Sequence, residues 1–229
     1  MARKKGPQVD IAYTYIKDKI LTFEFAPGDE LSDYKLEDVL NMSRSPINEA
    51  IMLLIADGLL VRNGNKTTIS PMKLQDIIEI CEVRKAIEIA ALQILIQKGG
   101  MNEEQANELS RIFAQMKQET RLMENYQLDD AFHNLIVCAA GNSRMIEISE
   151  RMRLQITRAR WLNALTPSRL SLAVQEHEAI LNALLSGNLT DSITALDKHL
   201  TASEDNFKYV LNLPAFNSKL LRGMATFTG

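Results

Sequence analysis

Apolar residues recur at helical spacing along most of the chain. In residues 10–22, Ala12, Ile16 and Ile20 form one stripe. Residues 32–40, SDYKLEDVL, read as a short helix that Ser32 could cap. After the turn NMSRSP, Ile47, Ala50, Ile51, Leu54 and Ile55 occupy the i, i+3, i+4, i+7, i+8 positions of an amphipathic helix. Gly58 is placed to end it. The period then changes. LLVRNGNKTTIS holds two short extended runs about an Asn63-Gly64 hairpin signal.

Helix, helix, short turn, helix, β-hairpin is the plan of a winged helix-turn-helix, which docks its last helix in a DNA groove. From residue 73 onward the pattern is helical almost throughout. KLQDIIEICEVRKAIEIAALQILIQKGG stops at Gly99-Gly100, and Asn102 with Gln105 gives a capping-box signal for the next helix. YQLDDAFHNLIVCAAGN stops at Gly141, and SRMIEISERMRLQITRARWLNAL runs to a break at TPS. LSLAVQEHEAILNALLSGN stops at Gly187, and TDSITALDKHLTASEDNFKYVL is the last of six helices. The expected fold is mainly α. An N-terminal winged helix-turn-helix spans residues 1–72, an antiparallel all-helical bundle residues 73–213, and a weakly patterned tail residues 214–229.

Composition is that of a globular protein, 46% hydrophobic and 24% charged over 229 residues. The net charge of −3 does not advertise nucleic-acid binding. Residues 1–70 carry nine Lys/Arg against ten Asp/Glu, so any DNA contact depends on where the cations lie. Cys81 and Cys138 fall in apolar helical patterns without C-x-x-C spacing, which suits free thiols in a reducing cytosol. No apolar run approaches a membrane span, and no apolar stretch follows the basic N-terminal residues. A cytoplasmic protein without a membrane partner is expected.

The packed face of the third helix leaves Arg44, Ser45, Asn48 and Glu49 at its start or on its other side. Arg44 could meet guanine O6 and N7 with two bonds, and Asn48 could do the same for adenine. Ser43 or Ser45 could cap the helix or touch a phosphate, with Pro46 tolerated in the first turn. Arg62, Gly64 and Lys66 lie at the hairpin tip, and Lys35 on the preceding helix is a further DNA candidate. Arg3, Lys4 and Lys5 could form a basic arm. The same residues could equally be a solvated helix face. In the second half, Asp129 and His133 sit four residues apart, on one helix face. The other two histidines, His177 and His199, lie on two later helices. Spacing alone leaves open an ordinary helix pair or part of a metal site.

The segment ILTFEFAPGDELSDYKLEDVLNMSRSPINEAIMLLIADGLLV resembles the DNA-binding domain of GntR-type transcription regulators, through its PGDEL, SRSP, EAI and DGLL pieces. The second half resembles the FadR-type C-terminal ligand-binding domain, FCD, through EVRKAIE, DDAFHNLIVCAAGN, EHEAILNALLSGN and ALDKHL. The pieces occur in family order over roughly residues 10–200. The resemblance implies a divalent metal held by Asp129, His133, His177 and His199. Such a donor set suits zinc, nickel, cobalt or manganese. It also implies a small carboxylate or sugar-acid effector, which Arg84 could clamp with two parallel bonds. Arg84 could instead pair with Glu82 or Glu88. Arg158 is a second candidate for effector contact. A homodimer on a double-stranded, pseudo-palindromic DNA operator is the expected assembly. Where the family usually has a second arginine this chain has Asn48, so a relative's operator does not transfer to it. Two alternatives remain: a purely structural metal, or a metal-dependent hydrolase or lyase. Against the latter, the chain has no H-E-x-x-H, no G-x-S-x-G and no P-loop.

Overall fold

The computed structural model describes residues 6–160 and 166–213, leaving aside the side chains of Leu122, Met123 and Pro167. The expected basic arm at Arg3, Lys4 and Lys5, the helical reading of residues 161–165 and the tail 214–229 lie outside the described residues. Two compact units are present. The first holds described residues 6–73 and the second Leu74–Asn212.

In the first unit, α1 (Pro7–Leu21), α2 (Asp33–Leu40) and α3 (Arg44–Ala56) precede the strands β1 (Leu60–Asn63) and β2 (Lys66–Ile69). Pro7 fits the first turn of α1, where its missing N–H has no intrahelical partner to lose. The Ser32 hydroxyl accepts from the Lys35 backbone N–H at 3.4 Å and caps α2. Helix α2 ends at Asn41, whose φ of 48° is left-handed. That conformation turns the chain directly into α3. The apolar stripes of α1 and α3 face each other, and Ala12, Ile16, Ile20, Ile47, Ala50, Ile51 and Leu54 are fully buried. Each of the larger ones removes apolar area worth about 1.5–3 kcal/mol from water.

The hairpin differs from expectation by one residue. Asn63 pairs with Lys66, so the two turn residues are Gly64 and Asn65 rather than Asn63 and Gly64. Gly64 takes φ of 60° at the first turn position, where a side chain would be strained. The PGDEL loop is stitched to this ribbon. Leu31 N–H donates to Thr67 O at 2.8 Å, and Ile69 N–H to Asp29 O at 2.9 Å. Glu30 forms a β-bridge with Thr68.

The second unit is α4 (Leu74–Gln97), α5 (Glu103–Gln118), α6 (Leu122–Ala139), α7 (Ser143–Arg160), α8 (Pro167–Leu185) and α9 (Leu189–Leu211). Both halves of the Asn102–Gln105 capping box form. Gly141, at φ of 70°, follows the end of α6. Ala91, Leu92, Phe113, Phe132, Ile136, Ile180 and Leu196 belong to one core drawn from α4, α5, α6, α8 and α9. Helix α9 continues well past Leu200, and Ser203, Phe207 and Val210 are buried on it.

Ile51→Ala should cost the first unit about 2–5 kcal/mol through lost burial and a cavity. Urea unfolding followed by circular dichroism checks this; an unmoved midpoint would place Ile51 outside the core.

Candidate metal centre

Helix α6 presents Asp129 and His133 one turn apart, α8 presents His177 and α9 presents His199. One ligand atom from each of the four lies within 4.8 Å of the others. The three imidazoles are buried, and His177 is completely enclosed. His133 Nε2 is 3.1 Å from His177 Nε2 and 3.2 Å from His199 Nε2. Asp129 Oδ1 is 3.1 Å from His177 Nε2 and 3.9 Å from His133 Nε2.

The opposite edge of each ring decides what these nitrogens are. His177 Nδ1 is 2.6 Å from the Ala173 carbonyl oxygen, which can only accept. His133 Nδ1 is 2.7 Å from Glu88 Oε2, and His199 Nδ1 is 2.8 Å from Glu176 Oε2. Each Nδ1 therefore carries the hydrogen and donates it outward. Every Nε2 then turns a lone pair toward the other two. Burial holds His199 well below the usual imidazole range, and its two neighbouring imidazoles act the same way. Burial also lowers His133, with Glu88 opposing. For Asp129, burial favours the neutral acid, but Arg160 and the imidazoles overcome it and keep the carboxylate ionised.

Three buried imidazole nitrogens and one converging carboxylate oxygen could hold a divalent cation. Nitrogen separations of 3.1 and 3.2 Å lie between the edges of about 2.9 Å (octahedral) and about 3.3 Å (tetrahedral) that metal–nitrogen bonds of about 2.0–2.1 Å give.

Around this cluster lies a set of buried cations. Arg84 Nε donates to Glu88 Oε1 at 2.6 Å, while its Nη2 has no partner. Arg169 Nη2 donates to Glu176 Oε2 at 2.7 Å and to Ser203 Oγ at 3.1 Å, while Nε and Nη1 have none. Arg160 bonds Asp129 Oδ2 through Nε and Asp130 Oδ1 through Nη1, both at 2.9 Å. These three arginines, with Asn125 and Tyr126, line a void of about 20 Å³ beside Asp129, His177 and His199. Arg158 is buried too, and burial lowers its guanidinium to about 10, but it does not line this void.

Sequence reasoning named Arg84 but missed Arg160, Arg169 and the organising roles of Glu88 and Glu176. One signal was available. Arg84 and Glu88 share the face of α4 that carries Ile77, Ala91 and Leu95, so a charged pair falls on an apolar stripe. Arg160 and Arg169 flank the break between α7 and α8 and carry no such mark.

The DNA candidates all lie in the first unit. Arg44 is the first residue of α3. Ser43 holds the N-cap position without a side-chain cap bond. Ser43, Arg44 and Ser45 are exposed and Asn48 is half-buried. Lys35, Arg62, Gly64 and Lys66 are exposed, the last three on the hairpin.

Residues 8–69 match the gntR family of bacterial regulatory proteins, and residues 79–202 match the FCD domain. The chain belongs to the GntR family and carries an FCD domain. This GntR regulator is similar to LutR of Bacillus subtilis, an HTH-type transcriptional regulator, with 28% identity over 80% of this chain and 93% of LutR. McbR/YncC of E. coli has a similar fold, with a TM-score of 0.75 and 17% identity over 90% of this chain and all of that one. The metal-free FCD domain of TM0439 aligns with 62% of this chain and 98% of its own, at 24% identity and a TM-score of 0.53. The protein is thus a DNA-binding transcription regulator and not an enzyme, and its FCD domain has a cluster that could hold a metal. Among the described residues no helix is long and apolar enough to cross a membrane.

His177→Ala or His199→Ala should lower the metal bound per chain in elemental analysis of the purified protein. Unchanged stoichiometry would remove that imidazole from the ligand set. A chelator should lower the melting temperature, because a metal at a hundred times its Kd contributes about 2.7 kcal/mol to the folded state.

Proposed function

We propose that this GntR regulator is a cytoplasmic homodimer whose operator affinity is set by a small carboxylate or sugar acid bound beside a divalent metal. The observation carrying this reading is a pair of buried arginines, Arg84 and Arg169, which line the same void as His177 and His199 and keep N–H groups without a partner. An unpaired buried donor is costly, and a carboxylate is the acceptor that fits a guanidinium in both shape and charge. Asp129, His133, His177 and His199 would hold the metal, which would supply a positive anchor with open coordination positions for the anion. Arg84 would orient the carboxylate, and Arg169 would meet a second polar group. Glu88 and Glu176 keep both arginines in place.

On the DNA side, Arg44, Ser45 and Asn48 would read base edges. Ser43, Lys35, Arg62 and Lys66 would meet phosphates, with Gly64 allowing close backbone approach at the wing tip. Two copies would place two such units on successive half-sites. An effector that prefers one arrangement of the two units would shift DNA occupancy by that preference, with typical couplings of about 1–3 kcal/mol.

One observation favours a second reading, in which the metal is purely structural. The void of about 20 Å³ has room for little more than a water molecule. An organic acid would therefore have to displace side chains as it enters.

Metal-loaded protein screened by thermal shift against mono-, di- and hydroxycarboxylates should give at least one ligand that raises the melting temperature and moves the DNA-retardation curve. Arg84→Ala should weaken that response more than it weakens DNA binding. Metal-dependent melting with no carboxylate response would select the structural reading. Arg44→Ala should abolish specific retardation while leaving helical circular dichroism intact.

A further inference from the structure

The DNA-reading unit is poor in positive charge, and the cation at its centre is held by an acid of the same chain. Arg44 Nε donates to Glu37 Oε1 at 3.0 Å. Glu37 is fixed from below. Its backbone carbonyl accepts from Asn41 N–H and, at 3.2 Å, from Met42 N–H, closing the left-handed turn between α2 and α3. Its side chain can thus meet the first residue of α3 across a separation of seven residues. The Glu37 side chain is 30% exposed and that of Arg44 65%, so the pair stands at the surface with the guanidinium outermost. The bond uses the Nε edge. The acid is bonded through Nε and not through the terminal nitrogens of Arg44, the pair that can meet guanine O6 and N7 together. A comparable pair stands on the wing, where Lys66 Nζ donates to Glu30 Oε2 at 3.0 Å.

We propose that Glu37 is a specificity-determining positioning residue, which holds Arg44 by its Nε edge for guanine readout and opposes binding to DNA lacking the operator. This rests on the reading that Arg44 contacts a base. Two effects separate in chemistry. The hydrogen bond orients the guanidinium and so restricts where it can donate. The negative charge repels phosphate, and so weakens the sequence-independent attraction that any duplex offers. An exposed ion pair contributes little to stability, so its role lies in the free energy of DNA selection.

The test uses the full-length protein, a duplex enriched from a random library by wild-type protein, and a scrambled duplex of the same length. Glu37→Ala should raise affinity for the scrambled duplex about threefold. It should also cut the preference for one G·C pair in the enriched site by about fivefold or more. Glu37→Gln keeps an acceptor for Nε without the charge. It should bind scrambled DNA as Glu37→Ala does, yet keep most of the G·C preference. Circular dichroism verifies that each variant is folded. If Arg44→Ala loses the G·C preference but Glu37→Ala leaves preference and scrambled-duplex affinity unchanged, the role of Glu37 is overturned and Arg44 stands. If Arg44→Ala changes no base preference, Arg44 is not a reader and the proposal for Glu37 falls with it.

Discussion

Three short hydrogen bonds on the outer edges of three imidazoles orient the cluster at the heart of the candidate site. By fixing the proton on Nδ1, Glu88, Glu176 and the Ala173 carbonyl leave three Nε2 lone pairs facing inward, with that of His133 3.1 Å from His177 and 3.2 Å from His199. Such an arrangement is electrostatically unfavourable without a cation among them, and burial removes the water that would otherwise relieve it. The fold imposes it because α6, α8 and α9 are locked by an apolar core in which Phe132 packs edge-on to His177 at 4.9 Å. Packing therefore maintains a polar cluster that would not assemble on its own.

The same two carboxylates serve a second purpose. Glu88 joins Arg84 to His133, and Glu176 joins Arg169 to His199. Burial alone would neutralise Glu88, yet Arg84 and then His133 hold it well below the usual carboxylate range. Each bridge ties one imidazole to one guanidinium with spare donors. The site is thus built as two linked pairs, with Asp129 held by Arg160.

Local pattern made the elements legible, and long-range geometry made the site only partly so. The stripe Ala12, Ile16, Ile20 and the face Ile47, Ala50, Ile51, Leu54 are buried as periodicity requires. The Asn102–Gln105 box was readable because its partners are three residues apart. The hairpin slipped by one residue, because NGN offers two candidate turn pairs and only cross-strand register chooses Gly64-Asn65. Asp129 and His133 were visible as a helical pair. That His177 and His199 join them depends on how three helices pack, and only the family resemblance suggested it. Glu176, Arg160 and Arg169 stayed hidden because a charged residue on a helix reads as solvated until its neighbours are known. Helix α9 beyond Leu200, left without a role by the motifs, brings Ser203 and Phe207 to the void.

The stitching of the PGDEL loop to the ribbon bears on how DNA is gripped. With Leu31 bonded to Thr67, Ile69 to Asp29 and Glu30 bridged to Thr68, the hairpin is braced like a third-strand splint and not left as a free flap. If the wing meets DNA as proposed, a ribbon braced along β2 would lose little conformational freedom on binding, since folding has already ordered it. On the proposed reading, capture would be a matter of aligning a rigid claw with the duplex, and loosening that brace would weaken the grip without removing a nucleotide contact.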